Sequence, residues 1–378
     1  MRIVHLCLSC FYIDNHFYQE NILVREHVNF GHDVLVIAST ENFDANKKIT
    51  YVKPGEYIGS DNARVIRLPY RLWPHFLAKK LRVHAGLDRL LEGFAPDVIM
   101  FHGTCGWELH TAASYVRRHS GVKFFIDSHE DWNNSARTLL SREFLHRRYY
   151  GPVLRSAIGP CEAILCVSTE AIDFVADLYK IERSMLELFP LGCIPIHDDE
   201  YVLRRKRGRA VLDAKPENRI LIQSGKQTAR KKLIEALKAF KDASTDNTLF
   251  VIAGALSDDI REQSLQLIES DTRIRFLGWC DTETLTDLLC AADVYVQPGT
   301  QSATMQHSMG CRCALLIDDA PAHLYYKCGN GWFVRNQNDL QDAIRAVGVA
   351  DIELMAKNSY EFARSYLDYR KLAQRVTG

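Results

Sequence analysis

A segment in the second half of the chain carries the residue types that bind anions. An apolar run at 220–223 is followed by Gly225, Lys226 and Lys231, and the same segment opens a helix. A glycine, cations and a helix N-terminus at one strand end suit a diphosphate, because backbone N–H groups and ammonium groups converge on its oxygens. The alternative interpretation is a basic helix start that is merely solvated.

A second such segment follows the apolar run 293–297. The run breaks at Pro298 and Gly299, and small polar residues then begin a new helix. Free backbone N–H groups at a helix start favour phosphate or sugar oxygens, and amide side chains beside them can hydrogen-bond hydroxyls. An ordinary strand-to-helix turn explains the pattern equally well. The candidate phosphate contacts are Ser302, Ala303 and Thr304, and the candidate sugar or ribose contacts are Gln301 and Gln306.

The first half offers a histidine between acids. The apolar run 124–127 leads into Ser128, His129, Glu130 and Asp131. An imidazole beside carboxylates at a strand end can donate a hydrogen bond to a sugar hydroxyl or to a transferring group. We therefore take His129 and Asp131 as candidate catalytic residues, against the alternative that a lone histidine is structural.

The elements that must position these residues alternate between buried strands and helices, which is the pattern of a doubly wound parallel sheet. At 378 residues the chain suits two such domains, and the series pauses near Pro190. We predict an α/β fold with two doubly wound Rossmann-like domains facing a central cleft. The first domain covers 1–190, the second covers 191–350, and helices at 351–378 cross back onto the first. The predicted strands are 2–8, 33–38, 97–101, 123–127, 163–167, 219–223, 248–253, 273–277, 293–297 and 313–317.

Composition narrows the classes of function. Basic and acidic residues both number 47, so bulk electrostatics gives no reason to expect a nucleic-acid partner. No run approaches the ~20 apolar residues of a membrane-spanning helix, and the odd count of 11 cysteines fits a reducing cytoplasm. The glycine fingerprint of nicotinamide enzymes, the phosphate loop of ATPases and the serine elbow of hydrolases are missing.

Two cysteine pairs raise the question of a metal. Cys7 and Cys10 lie in the first half and Cys311 and Cys313 in the second, whereas a tetrahedral zinc site needs four converging ligands. We therefore expect no metal and no other cofactor.

Two segments mix cations with aromatic residues. One lies between 64 and 94 and includes Trp73, Phe76 and Leu77, and the other lies at 142–150. Such surfaces can rest on an anionic leaflet or meet a lipid-linked acceptor, which would place the protein at the inner face of the cell membrane. Helices that pack their apolar faces while their arginines stay solvated are the alternative.

Several segments share their order along the chain with one known family. They are Asn29-Phe30-Gly31-His32-Asp33, Val167-Ser168-Thr169, Gly225 and Lys226 with Lys231 and Lys232, Phe276-Leu277-Gly278-Trp279, and Ala291-Ala292-Asp293-Val294. In this order they resemble glycosyltransferase family 4, whose members are retaining nucleotide-sugar enzymes of the GT-B fold. The resemblance extends over nearly the whole chain.

The resemblance implies roles for individual residues. Lys226 and Lys231 would hold the donor diphosphate without a metal, His129 would lie near the reacting sugar, and Trp279 would lie near the nucleotide base. The first domain would bind a glycan acceptor. A Tyr18-Gln19-Glu20-Asn21 element is similar to a subgroup that makes bacterial surface polysaccharides, which implies a hexosyl transfer to a lipid-linked glycan.

One departure from the family pattern bears on activity. Family members usually carry two glutamates after the second strand-end turn, where this chain has Gln301 and Gln306. Amides can still bind hydroxyls, but the charge that could stabilise an oxocarbenium ion is gone. Two alternatives therefore stay open: an inactive binding or scaffold protein, and a nucleotide-sugar epimerase on the same fold.

Overall fold

The computed structural model describes residues 1–14, 16–44, 48–71, 74–243, 245–300 and 302–378. The chain forms two compact units, Met1–Pro190 together with Tyr369–Gly378, and Leu191–Asp368. Of the C-terminal segment predicted at 351–378, the part up to Asp368 thus belongs to the second unit and the rest to the first. Two residues of the sequence analysis, Gln301 and Trp73, lie outside the described residues.

The first unit is built on one large sheet. Its strands are β1 (Arg2–Cys7), β2 (Asp33–Ser39), β3 (Glu41–Phe43), β4 (Ile49–Tyr51), β5 (Gly55–Ile58), β6 (Arg64–Leu68), β7 (Val98–His102), β8 (Lys123–Ser128), β9 (Ala163–Cys166) and β10 (Leu186–Leu188). Eight of them form a sheet of order β10-β9-β8-β7-β1-β2-β6-β5, and β3 pairs with β4 separately. Every pair in the large sheet is parallel except β5 with β6.

The strand order reverses between β1 and β7, because the chain first builds outward from β1 to β2 and later returns to β7 on the other side. Both faces of the sheet are buried. Val4 and Leu6 of β1 join one apolar cluster, whereas Cys7 joins another with Val36. Ligands of open α/β sheets bind beyond the strand ends at such a reversal, so the ends of β1, β7 and β8 are the place to look.

Helices cover this sheet and follow the strands in turn. They are α1 (Gln19–Asn29), α2 (His75–Leu81), α3 (Leu87–Phe94), α4 (Glu108–Arg118), a π-helical segment (Ser141–Tyr150), α5 (Gly151–Ala157), α6 (Thr169–Tyr179), a 3₁₀ turn (Arg183–Met185) and the last helix, α15 (Tyr369–Thr377). The last helix packs Leu372 and Ala373 into a cluster with Ile22 of α1. Burial of apolar side chains thus fixes the C-terminus in the first unit.

The second unit repeats the architecture with a parallel six-stranded sheet. Its strands are β11 (Arg219–Ser224), β12 (Thr248–Ala253), β13 (Ile274–Gly278), β14 (Val294–Gln297), β15 (Ala314–Asp318) and β16 (Gly331–Val334). The order β13-β12-β11-β14-β15-β16 reverses between β11 and β14. The predicted class, α/β with two doubly wound sheets, is confirmed.

The helices of the second unit include one that sequence patterning did not predict. They are α7 (Asp198–Val211), a 3₁₀ turn (Ala229–Lys231), α8 (Leu233–Ala243), α9 (Asp258–Glu269), α10 (Thr282–Ala291), α11 (Ala303–Gly310), α12 (Pro321–Leu324), α13 (Gln337–Ala346), α14 (Ile352–Phe362) and a π-helical segment (Ala363–Leu367). The unpredicted helix is α7, which packs on α10 through Gly208; a Cβ there would lie 2.1 Å from the Asp287 carbonyl oxygen. Arg204 and Arg207 each place a nitrogen 2.8 Å from the Asp287 carboxylate. A polar sequence therefore forms a packed helix through ion pairs.

Candidate active site

The phosphate-binding candidate of the second unit lies at the end of β11. Gly225 has a φ of +94°, a conformation that glycine adopts far more readily than other residues, and its N–H donates to the Ala253 carbonyl at 2.8 Å. A Cβ built on Gly225 would lie 3.4 Å from Lys231 Nζ and 3.8 Å from Thr304 Oγ1. The glycine thus leaves room beside an ammonium and a hydroxyl.

The Lys231 ammonium is largely removed from solvent and has no nearby negative charge among the described residues. Loss of solvation lowers the pKa of Lys231 to about 8, and no charged side chain of the described residues offsets it. The backbone of Lys231 is held in place, because its carbonyl accepts from Gln223 Nε2 at 3.1 Å and its N–H donates to the Thr228 carbonyl at 2.9 Å. A bound anion would supply the missing charge.

Helix α11 begins beside the same ammonium. Ser302 is its N-cap, and the Ser302 hydroxyl accepts from the Thr304 N–H at 3.4 Å. Ala303 is the first helical residue and is exposed. The positive end of the helix dipole favours an anion here. The structure therefore brings Gly225, Lys231, Ser302 and Thr304 together at the strand-order reversal of the sheet.

Two other predicted ligand contacts lie on exposed positions. Lys226 is exposed and faces Asp259, whose pKa is lowered by a hydrogen bond from Ser257 and, less strongly, by Lys226. Trp279 directly follows β13 and is 68% exposed. No described contact joins Lys226 to the Lys231 ammonium, so Lys231 is the better placed of the two lysines.

Gln306, a predicted ribose contact, is fully buried on α11. Its Nε2 donates to the Tyr326 hydroxyl at 2.8 Å, which leaves its Oε1 buried without a donor among the described residues. A buried carbonyl oxygen without a donor costs free energy, so a hydroxyl that reaches it would bind favourably. The ribose role of Gln306 stays a prediction.

In the first unit, His129 follows β8 and meets two carboxylates. Its Nε2 lies 3.7 Å from Asp127 Oδ2 and 4.0 Å from Glu20 Oε1, and 32% of its side chain is exposed. Loss of solvation lowers the pKa of His129, but Glu20 and Asp127 outweigh it and raise the pKa to about 9. The imidazole is therefore a cationic hydrogen-bond donor at neutral pH.

Asp131 has a different environment from His129. Its Oδ1 accepts from the backbone N–H groups of Asn133 at 2.6 Å and Asn134 at 2.9 Å. Such an Asx turn fixes the loop after β8 and occupies one carboxylate oxygen. The structure thus brings His129 together with Asp127 and Glu20, and places Asp131 in the turn; a catalytic role for Asp131 stays a prediction.

Three acids of this edge were missed as site residues. Asp127 ends a predicted strand, and Glu20 lies in the first turn of α1, within the Tyr18-Gln19-Glu20-Asn21 element. Glu130 accepts from the Thr104 hydroxyl, and from Cys105 Sγ at 2.9 Å. The signal was available, since all three are carboxylates in or beside buried elements. A cavity of about 350 Å³ adjoins Glu130 and is lined by residues that include Ser9, Arg82, Arg137, Ser141 and His146.

Two classes of feature were also searched for in the described residues. No cluster of three or more histidine, cysteine or acidic side chains there is arranged to hold a metal ion. Within the same residues, every helix is too short or too polar to serve as a membrane span.

Two doubly wound units, each with polar residues gathered at its strand-order reversal, define a GT-B fold. Three known structures are similar to this chain over nearly their whole length. WaaG, a glycosyltransferase involved in lipopolysaccharide biosynthesis, is 16% identical with a TM-score of 0.64, and the match covers 100% of both chains. Sucrose-phosphate synthase from Thermosynechococcus elongatus is 15% identical with a TM-score of 0.65 and coverage of 100% and 97%. Anabaena HepE in complex with UDP is 13% identical with a TM-score of 0.67 and coverage of 100% and 98%.

The sequence also matches two family models. The model of Glycosyltransferase Family 4 matches residues 22–194, and the model of Glycosyl transferases group 1 matches residues 204–309. Among curated proteins, no sequence matches the chain. The chain belongs to the family-4-like glycosyltransferases of the GT-B fold, as the sequence resemblance implied.

Proposed function

We propose that the protein transfers a sugar from a nucleoside-diphosphate donor to a glycan acceptor, with retention of configuration. The observation that carries the proposal is the Lys231 ammonium beside Gly225 and Thr304, which has a lowered pKa and no counterion among the described residues. A donor diphosphate supplies that counterion. Lysine and helix N-terminus would stabilise the charge that develops on the leaving diphosphate, so the transfer needs no metal.

A structural relative supports the choice of the first donor to test. HepE was solved in complex with UDP-glucose, which supports a UDP-hexose as the first donor to test. In this proposal Gln306 Oε1, which has no donor among the described residues, accepts from a ribose hydroxyl, and Trp279 stacks on the base. His129 donates a hydrogen bond to the reacting sugar as an imidazolium, which is a role a neutral histidine fills less well.

A thermal-stability panel tests the donor site. UDP-, GDP-, dTDP- and ADP-sugars are added to wild type, Lys231→Ala and the control Lys238→Ala, which removes an exposed lysine of α8. A sugar nucleotide at ~100 times its dissociation constant adds about 2.7 kcal/mol. We expect one nucleotide class to stabilise wild type and Lys238→Ala but not Lys231→Ala. If none stabilises wild type, the donor proposal fails and a scaffold role takes its place.

Turnover separates transfer from the other activity of this fold. The stabilising nucleotide sugar is incubated with and without a glycan acceptor, and both products are followed by NMR. Transfer requires acceptor and yields a product with the anomeric configuration of the donor. A change of the nucleotide sugar without acceptor would instead identify an epimerase, and an inverted product would overturn retention.

We propose further that the acceptor is a lipid-linked glycan of bacterial surface-polysaccharide synthesis, met at an anionic membrane. The carrying observation is a surface shared by α2 and the segment 139–150, which the Tyr149 hydroxyl joins by donating to the Leu81 carbonyl at 2.9 Å. This surface borders the cavity beside Glu130. Its exposed apolar residues are Phe76, Leu77, Leu139, Leu140 and Phe144, and its cations include Lys79, Lys80, Arg147 and Arg148.

Vesicle sedimentation tests this surface. We expect wild type to sediment with vesicles that contain anionic phosphatidylglycerol and not with neutral phosphatidylcholine vesicles. The double variant Leu139→Ser, Leu140→Ser should lose this binding, whereas Leu354→Ser, an exposed leucine of the second unit, should keep it. Equal sedimentation of all three proteins would contradict the membrane proposal and leave the donor site untouched.

A further inference from the structure

Three buried histidines connect the last helix to Asp127. His27 Nε2 lies 3.0 Å from the carbonyl oxygen of Ala373, and His27 Nδ1 lies 2.9 Å from His5 Nε2. His5 Nδ1 in turn lies 2.9 Å from His102 Nε2, and His102 Nδ1 lies 2.5 Å from Asp127 Oδ2. All three rings are fully buried. The chain therefore runs through the core of the first unit, from α15 to the end of β8.

Both ends of this chain only accept hydrogen bonds. The Ala373 carbonyl has no proton to give, and the Asp127 carboxylate also accepts from the Gly103 N–H at 2.9 Å. Four hydrogen bonds between these ends need four N–H protons on three rings. Neutral imidazoles carry one N–H each, so one ring must hold a second proton and be an imidazolium.

The extra proton lies on His102. Burial alone would lower the pKa of His102, but Asp127, helped by Cys7 and Glu20, raises it to about 10. By contrast, burial lowers the pKa of His27 to about 4, against the hydrogen bond to the Ala373 carbonyl. Burial, His27 and His102 likewise lower the pKa of His5. The relay thus places its cation next to Asp127 Oδ2, the same carboxylate oxygen that His129 faces.

We propose that His27, His5 and His102 form a relay that carries one extra proton, and that through Asp127 it controls the charge offered to His129. The three are positioning residues, because they act on His129 only through Asp127. The inference rests on the proposed role of His129 at the reacting sugar. The carboxylates of Asp127 and Glu20 lie close to two cationic rings, those of His102 and His129. Loss of the relay proton would remove one of the two positive charges and so change the electrostatic potential at His129.

Side-chain ¹⁵N NMR of histidine-labelled full-length protein tests the relay. In wild type at pH 8 we expect both nitrogens of His102 to be protonated, and His5 and His27 to carry one N–H each. In His5→Leu the Nε2–H of the His102 imidazolium loses its acceptor, and a buried donor without a partner opposes the effect of Asp127 on the pKa of His102. We therefore expect His102 to lose its second proton at a lower pH than in wild type, and the titration of His129 to move to higher pH because a neighbouring cation is lost. His5→Gln should restore the wild-type pattern, because its Oε1 accepts from His102 and its Nε2 donates to His27.

The wild-type spectrum alone can overturn the proposal, whether or not the variants fold. A singly protonated His102 at pH 8 would do so, and so would a His129 titration that is the same in His5→Leu and wild type. Donor binding at Lys231 is measured separately by the thermal panel. If the histidines have the expected protonation states but no donor binds, the proposed function is refuted and the relay is not. If a donor binds but the histidines lack the expected protonation states, the relay alone is refuted.

Discussion

Gly225 lies directly beside Lys231, at a distance where a Cβ on the glycine would stand 3.4 Å from the ammonium nitrogen. This contact joins the residue that shapes the end of β11 to the residue that carries its charge. It also makes the donor site sensitive to a single methyl group.

Replacing Gly225 with alanine should impair both stability and donor binding. The φ of +94° costs a non-glycine residue about 1–2 kcal/mol, and the new methyl group enters the space beside Lys231. The matched control is Gly121→Ala, because Gly121 has a φ of +93° with nothing within 4 Å of its Cβ position. Urea unfolding should show similar destabilisation of both variants, and the thermal panel should show lost donor stabilisation for Gly225→Ala only. Equal donor stabilisation in the two variants would contradict this placement of the diphosphate.

Substitutions of Asp131 can distinguish a turn residue from a catalytic one. Because its Oδ1 accepts two backbone N–H groups, Asp131→Asn keeps the turn and Asp131→Ala loses it. We expect Asp131→Ala to lower the free energy of unfolding by about 1 kcal/mol, and Asp131→Asn to retain near wild-type turnover. A loss of turnover beyond ~100-fold in Asp131→Asn, about 2.7 kcal/mol of transition-state stabilisation, would show that the carboxylate takes part in transfer.

The stability of the protein should decline on the acid side of neutrality. Burial lowers the pKa of His27 to about 4 and that of His84 to about 3, so the folded state keeps both rings neutral. Their contribution to the free energy of unfolding is complete above the ordinary histidine pKa of 6.5, and it is lost as the pH falls toward the pKa values of the folded state. For His27 the loss is on the order of 3 kcal/mol. Urea unfolding from pH 7 to pH 4 measures it, and His27→Gln should show a shallower decline; an identical decline would contradict the assignment.

Above neutral pH, two other histidines should make the stability of the protein fall as the pH rises. Carboxylates raise the pKa of His129 to about 9 and that of His102 to about 10, so their stabilisation is complete below pH 6.5 and is lost as pH rises through the folded values. We therefore expect maximal stability near pH 7. Asp127→Asn should flatten the decline between pH 7 and 10 in the same urea experiment, and an unchanged slope would argue against the charged pairs.

The sequence predicted most of the buried strands because they are continuous apolar runs. The run predicted at 248–253 is β12 (Thr248–Ala253), and the other predicted runs shift by no more than one or two residues at an end. Six of the described strands were not predicted. Strands β4 and β5 are short and largely exposed, and β3, β10 and β16 have only three or four residues. Strand β6 was instead read as part of the basic, aromatic segment between 64 and 94, although four of its five residues are buried. Helix α7 was missed because ion pairs with Asp287, and not an apolar stripe, hold it in place.

Candidate site residues could be chosen from the sequence where polar groups cluster after a strand, as with Gly225, Lys231 and His129. The histidine relay could not be predicted from the sequence, because His5 and His102 lie within apolar strands and have the pattern of core residues. Their meeting depends on the pairing of β1 with β7 and of β7 with β8, where His102 is opposite Asp127. The sequence does not reveal the register of strand pairing, so it does not show that histidines far apart along the chain meet in the sheet.

If Lys231 holds the donor diphosphate, the affinity for the donor should depend on the protonation of its ammonium, and therefore on pH. Titration calorimetry with the stabilising nucleotide sugar, whose own phosphates stay ionised, is carried out from pH 6.5 to 9.5 on wild type and Lys231→Met. Because the pKa of Lys231 is about 8, we predict that wild-type affinity is constant up to pH 7 and falls roughly tenfold or more by pH 9.5. Lys231→Met should bind about 10- to 100-fold more weakly at pH 7 and show no such fall. Equal affinity and equal pH dependence in the two proteins would show that Lys231 does not hold the diphosphate.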